Sequence, residues 1–183
     1  MYKLEYEFYN RDTQLVAREL LGKYLIHKYN NIEMIGRIVE TEAYIGAHDL
    51  AAHSAKGLTD RTKIMFGKAG FAYVYLIYGI HHCMNVVTEE EGAGCAVLIR
   101  ALEPVANINA KTSGPGLLCK AMNINKSLNA KSLLGDDFYI AAPEVMPEIK
   151  IIKRPRIGIA YAKHWSKRLL RFYIKDNIFV SKL

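Results

Sequence analysis

The run Arg37-Ile38-Val39-Glu40-Thr41-Glu42-Ala43-Tyr44 sets two carboxylates and a phenol at alternate positions. In an extended chain that period puts Glu40, Glu42 and Tyr44 on one face and Val39, Thr41 and Ala43 on the other. If Val39 faces the core, the carboxylates face outward or into a cleft. Two explanations fit: a strand that shows its charges to water, or a carboxylate that serves as general base. The second requires a fixed position beside a substrate and a partner that keeps the group ionised. Arg100, at the end of the apolar run Cys95–Ile99, is a candidate partner, because a nearby guanidinium lowers a carboxylate pKa. The period of two does not choose between Glu40 and Glu42.

Tyrosine is abundant, with twelve in the chain. Tyr73 and Tyr75 share one strand face, whereas Tyr78 directly precedes Gly79 and is expected at a hairpin tip. An aromatic there has little core to fill. It either covers the sheet edge or stacks on or wedges between bases, a contact worth roughly 1–3 kcal/mol per base. Among the six histidines, His81 and His82 precede Cys83, but adjacent strand residues point to opposite faces and do not converge on one ion. His48 and His53 are five apart, which misses the spacing of helical ligand pairs. No metal site is expected. The chain also lacks a P-loop, a dinucleotide glycine fingerprint and a G-x-S-x-G elbow, so no cofactor is expected.

The elements that must position these groups can be read from period and punctuation. Arg11 to Gly22 reads as a helix, with Asp12 or Thr13 as N-cap and Gly22 as the stop. Lys23–Tyr29, the turn Asn30-Asn31 and Glu33–Tyr44 read as a hairpin. Strand-like runs follow at Phe71–Ile77, His82–Val87 and Cys95–Leu102, separated by turns that favour an antiparallel arrangement. A polar stretch between Asp49 and Gly70 has the length of a functional loop. Gly116–Met122 reads as a helix, and Arg156–Tyr161 and Leu170–Lys175 as two more strands. The expected class is α+β: a single compact domain over residues 1–183, with a mixed or antiparallel sheet, surrounding helices and a protruding hairpin.

At 183 residues and 51% hydrophobic, one domain can bury a sufficient core without a metal or disulfide. Cys83, Cys95 and Cys119 are odd in number and match neither a zinc pair nor a disulfide framework, so they read as reduced, packed residues. The charged start, Met1 to Asn10, is not a signal peptide, and no apolar run is long enough to span a membrane. The protein is expected to be intracellular, in cytoplasm or nucleoid if prokaryotic and in the nucleus if eukaryotic. The terminal Ser181-Lys182-Leu183 matches a peroxisomal address, which three residues alone do not establish. The net charge of +7 is unevenly spread: from Lys150 to Lys175 there are nine lysines and arginines and no acidic residue. Such a block either forms a solvated face or attracts a polyanion, with counterion release on binding phosphates.

The ordered set Arg37–Gly46, Ala51-Ala52-His53-Ser54, Tyr73–Gly79, Cys83-Met84-Asn85, Leu98–Pro104, Ser113-Gly114-Pro115, Ile124–Ser127, Arg156–Ile159 and Leu170–Tyr173 resembles the alkyladenine DNA glycosylase family, the mammalian type of 3-methyladenine DNA glycosylase. The similarity spans nearly the whole chain. It implies a monofunctional enzyme that flips alkylated or deaminated purines (3-methyladenine, 7-methylguanine, hypoxanthine and ethenoadenine types) out of double-stranded DNA and hydrolyses the N-glycosidic bond. It assigns Glu42 as general base and Arg100 as a second holder of the attacking water. Tyr44, His53 and Tyr75 would line the pocket, Asn85 would crowd the exocyclic amine of guanine, and Tyr78 would fill the gap left in the duplex. Glu40 has no catalytic role in this mapping. The implied protein is a monomer that engages no membrane.

These residue types suit the chemistry. Flipping costs a few kcal/mol, which stacking in the pocket and a plug in the duplex offset. Cleavage leaves oxocarbenium character at the sugar, which an ionised carboxylate stabilises while deprotonating water. An N3- or N7-alkylated purine leaves as a cation, whereas a neutral lesion such as hypoxanthine needs a proton. The alternative is a non-catalytic nucleic-acid-binding module of related fold, which would use the basic block equally well. Glu42 together with Arg100 discriminates the two, since binding alone requires neither.

Overall fold

The computed structural model describes residues Met1 to Leu183. The chain runs through β1 (Tyr2–Lys3), α1 (Tyr6–Tyr9), α2 (Thr13–Glu19), β2 (Tyr24–Tyr29), β3 (Ile32–Ile45), β4 (Ala72–Ile77), β5 (His81–Thr88), β6 (Cys95–Ala106), α3 (Pro115–Ala121), β7 (Phe138–Ala142), β8 (Ile151–Arg154) and β9 (Arg171–Ile174). Every pairing between these strands is antiparallel, which decides between the two arrangements open at the sequence level.

Local chemistry explains most of the boundaries. Asp12 caps α2 by accepting the Leu15 N–H at 2.8 Å, and Gly22 takes the left-handed conformation just beyond the helix, at φ 85°. The helix itself is shorter than the expected Arg11–Gly22. Asn30 and Asn31, both with positive φ, make the β2–β3 hairpin turn that an Asn pair favours. Helix α1 was not expected, because four residues are too few to display a helical period.

One expectation fails. Arg156–Tyr161 is not a strand; the strand is β8, just upstream. Pro155 has no N–H for a ladder, and Gly158 turns the chain with φ 77°. The expected strand at Leu170–Lys175 is present as β9.

The sheet order is β1-β7-β2-β3-β6-β5-β4, with β9 pairing both β3 and β8. The fourteen-residue β3 is its axis. One edge of β3 pairs with β2 at its start and with β9 at Glu40–Glu42, while its other edge pairs with β6 from Ile35 to Ile45 with interruptions. Helix α2 lies against the strand, and the Thr41 hydroxyl donates to the Ala17 carbonyl at 2.8 Å. Val16, Leu20, Leu21, Leu25, Ile38 and Leu102 belong to one continuous core and are fully buried. Each such side chain contributes about 1.5–3 kcal/mol through burial. The three cysteines are free and buried, as expected. No helix is long and apolar enough to cross a membrane.

Close approach of β3 to β6 depends on Gly36. A Cβ there would lie 2.8 Å from Leu102 Cδ1 and 3.0 Å from Leu102 Cβ. Gly36→Ala should therefore destabilise the protein by about 1–3 kcal/mol, as overpacking of a filled core does. Denaturant unfolding reads this directly, and an unchanged midpoint would mean that Leu102 moves aside without cost.

Candidate active site

Glu40 and Glu42 are both fully buried, so of the two alternatives for this face the water-exposed one is overturned. The pairing of β3 with β6 is irregular here: Ile38 faces Leu102, Glu40 faces Ala101, and Thr41 faces Ile99. Val39 and Arg100 are thereby left without a cross-strand partner. Bulges of this kind re-aim side chains near functional sites. Arg100 consequently reaches both acids, with Nε donating to Glu40 Oε1 at 3.1 Å and Nη1 lying 3.4 Å from Glu42 Oε1.

Glu42 has two further partners. The Tyr44 hydroxyl donates to its Oε2 at 2.8 Å, and the backbone N–H of Ile157 donates to its Oε1 at 2.7 Å. A carboxylate accepts about four hydrogen bonds, so these contacts leave room for roughly one more. Burial raises the Glu42 pKa above the ordinary 4.5, and Glu40 adds to the rise, against the opposing pull of Arg100, the Ile157 N–H and the Tyr44 hydroxyl. Burial also opposes the charge on Arg100, but Glu42 and Glu40 outweigh it and hold its pKa up. Tyr44 remains a phenol, because burial and the Glu42 charge both disfavour its anion.

Glu42 lies behind the wall of a pocket of about 220 Å³ whose lining includes Tyr44, His53, Tyr75, Asn85, Arg100 and Ile157. That is below the roughly 300–1,000 Å³ typical of drug-sized ligands, and it admits one planar heterocycle. Tyr75 and His53 meet edge to face, with ring centroids 4.6 Å apart. His53 Nδ1 shares a hydrogen bond of 2.9 Å with the Tyr73 hydroxyl. Asn85 is buried on β5, and its amide donates to the Tyr73 carbonyl at 3.1 Å, which fixes its orientation. Tyr78 also lines this pocket, from the tip of the β4–β5 hairpin, and is 86% exposed.

The fold therefore brings all seven sequence-derived candidates to one site: six line the pocket, and Glu42 sits just beneath it. The period of the strand found the carboxylate pair but missed what holds the far wall. Arg156 and Asp49, both fully buried at their side chains, form a two-pronged ion pair at 2.5 and 2.8 Å. Arg156 also donates to the Ala43 carbonyl and lies 4.7 Å over the Tyr44 ring. This clamp ties the segment carrying the Ile157 N–H to the end of β3. The two residues are 107 positions apart, and no local pattern announces them. Nor is the C-terminal basic block uniformly a surface: Arg156 and Arg171 are buried in ion pairs, while the other seven residues are exposed. No group of three or more His, Cys, Asp or Glu side chains is placed to hold a metal ion.

Residues 7–178 match the family model described as methylpurine-DNA glycosylase (MPG). The chain is 65% identical over 182 residues to a protein of Legionella pneumophila (strain Corby) provisionally named 3-methyladenine DNA glycosylase, with all of each chain covered. It is 50% identical to a protein of Myxococcus xanthus (strain DK1622) with the same provisional name, covering 96% of this chain and 91% of the other. A third such protein, from Alkaliphilus oremlandii (strain OhILAs), is 48% identical over 98% of this chain and 99% of its own.

Burial, aided by the charges of Arg61 and Lys56, lowers the His53 pKa from 6.5 to about 4. His53 is thus neutral at physiological pH. Since the folded state disfavours its protonation, its contribution to stability is present above pH 6.5 and is lost as the pH falls through about 4. Its ring resonances should titrate with a midpoint near 4 by NMR, and Arg61→Ala should move that midpoint upward. A midpoint at or above 6.5 would contradict this environment.

Proposed function

Because the chain belongs to the methylpurine-DNA glycosylase family, we propose that it excises 3-methyladenine and related damaged purines from duplex DNA in base-excision repair, with Glu42 as general base. The observation that carries the residue assignment is the buried contact of Glu42 with Arg100, Tyr44 and the Ile157 N–H, directly beneath a pocket sized for one base.

The flipped purine enters between Tyr44 and the Tyr75–His53 pair, whose faces and edges repay the lost stacking. Water occupies the remaining acceptor position of Glu42 and is steadied by Arg100. As the glycosidic bond lengthens, the electron pair leaves with the base and positive charge develops on the sugar. Water adds at C1′, and its proton passes to Glu42. The products are a free purine and an abasic site. Water, rather than an amine, is the nucleophile, so the reaction is monofunctional. A cationic 3- or 7-alkylpurine leaves without protonation. Neutral His53 adds no charge against it.

Asn85 narrows the pocket beside Tyr73, which supports a role in excluding guanine through its exocyclic amine. Tyr78 takes φ 53° and Gly79 φ 71°. The left-handed region costs a non-glycine residue about 1–2 kcal/mol, and the exposed ring offers the fold little in return. That supports a plug for the emptied duplex, with the exposed lysines and arginines of the C-terminal block holding phosphates. A binding module of the same fold would have no use for an ionised carboxylate held beneath a base-sized pocket.

Glu42→Gln keeps the shape but accepts no proton from water. Single-turnover cleavage of a duplex carrying one defined lesion should fall by at least ~10²-fold, with lesion affinity nearly unchanged. Full cleavage by this variant would sink the general-base assignment. Tyr78→Ala should weaken lesion-duplex affinity and flipping while leaving the unfolding midpoint in place. Affinity equal to the parent would remove Tyr78 from the duplex.

A further inference from the structure

Glu40 lies outside the pocket lining, yet its two oxygens accept four hydrogen bonds. Its Oε1 accepts from Arg100 Nε at 3.1 Å, Arg171 Nη1 at 3.0 Å and Ser181 Oγ at 3.0 Å, and its Oε2 accepts from the Ser181 N–H at 2.7 Å. Arg100 Nη2 in turn donates to Ser181 Oγ at 3.3 Å. A free guanidinium beside a carboxylate favours a two-pronged pair that occupies both oxygens. Arg100 makes no such pair with Glu42: Glu40 and Ser181 engage two of its nitrogens, and only Nη1 approaches Glu42.

We propose that Glu40 and Ser181 are positioning residues that hold Arg100 divided between two carboxylates, so that it steadies the Glu42-bound water without closing over Glu42. The proposal rests on the reading of Glu42 as general base. It gives a part in the reaction to Glu40, to which the family resemblance assigns no catalytic role. With Glu40 neutralised, Arg100 is free to turn its full fork onto Glu42. The lone pair meant for water is then occupied, and Glu42 becomes a weaker base.

The charged and titratable groups facing Glu42 are few. Arg100 comes from β6, Glu40 and Tyr44 from β3 itself, Tyr75 from β4 and Cys83 from β5. Arg171 of β9 stands behind Glu40, and Arg156 behind Tyr44. Burial holds both tyrosines and the thiol neutral. Glu40 and Arg100 are therefore the charges that set the proton affinity of Glu42, and loss of Glu40 shifts both influences in one direction.

The test is the pH dependence of single-turnover cleavage on a lesion duplex in Glu40→Gln and Ser181→Ala, alongside lesion affinity and unfolding midpoint. In Glu40→Gln the acid limb should move to lower pH and the plateau rate should fall by ~10-fold or more, as misplaced catalytic groups cause, with affinity retained. Ser181→Ala, which keeps the backbone donor, should move both in the same direction by less. A plateau that falls while the acid limb stays in place would make Glu40 merely structural and overturns the proposal, as does an unchanged profile. Should Glu40→Gln fail to fold, the same readout in Ser181→Ala decides. Glu42→Gln is run in parallel: if it cleaves normally, the general-base reading itself fails, whereas a dead Glu42→Gln beside an unshifted Glu40→Gln overturns only the positioning role.

Discussion

Two carboxylates and two guanidiniums, Glu40, Glu42, Arg100 and Arg171, are buried together where β3, β6 and β9 meet. Removing an ion from water costs several kcal/mol even after relaxation, so such a group persists only where geometry and added hydrogen bonds offset the penalty. Here the charges balance two against two. Backbone N–H groups from Ile157 and Ser181 supply additional donors. The rest of the architecture serves this arrangement. The bulge in the β3–β6 pairing aims Arg100, β9 brings Arg171 alongside Glu40, and the Pro155–Ile159 segment covers Glu42.

The same arrangement sets the division of labour between two carboxylates that the strand period makes equivalent. Glu40 has its oxygens occupied by four donors, which leaves it little capacity to take part in chemistry. Glu42 has three such contacts, of which the one to Arg100 is long at 3.4 Å, sits beneath the pocket, and binds its proton more readily than an exposed acid does. A general base, the role proposed for Glu42, must be ionised to act and basic enough to accept, and partial satisfaction in a dry environment suits Glu42 to both.

The pocket above is lined mainly by rings and apolar groups, with Arg100 its one charged lining residue, which suits the flipped base proposed to enter it. A base taken from a duplex loses stacking, and only aromatic faces restore it without demanding one sequence. The Asp49–Arg156 pair keeps its strong charges within the wall. Arg156 presents only the face of its guanidinium to Tyr44, which holds that ring without placing a free charge in the cavity. The outer surface of the C-terminal segment has the opposite character. Its exposed lysines and arginines suit a phosphate backbone, whose recognition depends on charge and salt rather than on shape.

What the sequence determined by itself is what depends on local rules. The period of two exposed the acid pair, the Asn30-Asn31 turn and the Asp12 cap marked boundaries, and the ordered motif set carried the family. Reading Arg156–Tyr161 as a strand failed because Pro155 and Gly158 outweigh the apolar alternation around them. Which glutamate lies under the pocket was legible only through resemblance, since side chains two apart on a strand are locally identical. Tertiary structure separates them: Ser181 comes back across 141 positions to Glu40, and Ile157 across 115 to Glu42. The partners of a buried charge are chosen by the closing of the fold. No spacing along the chain encodes them.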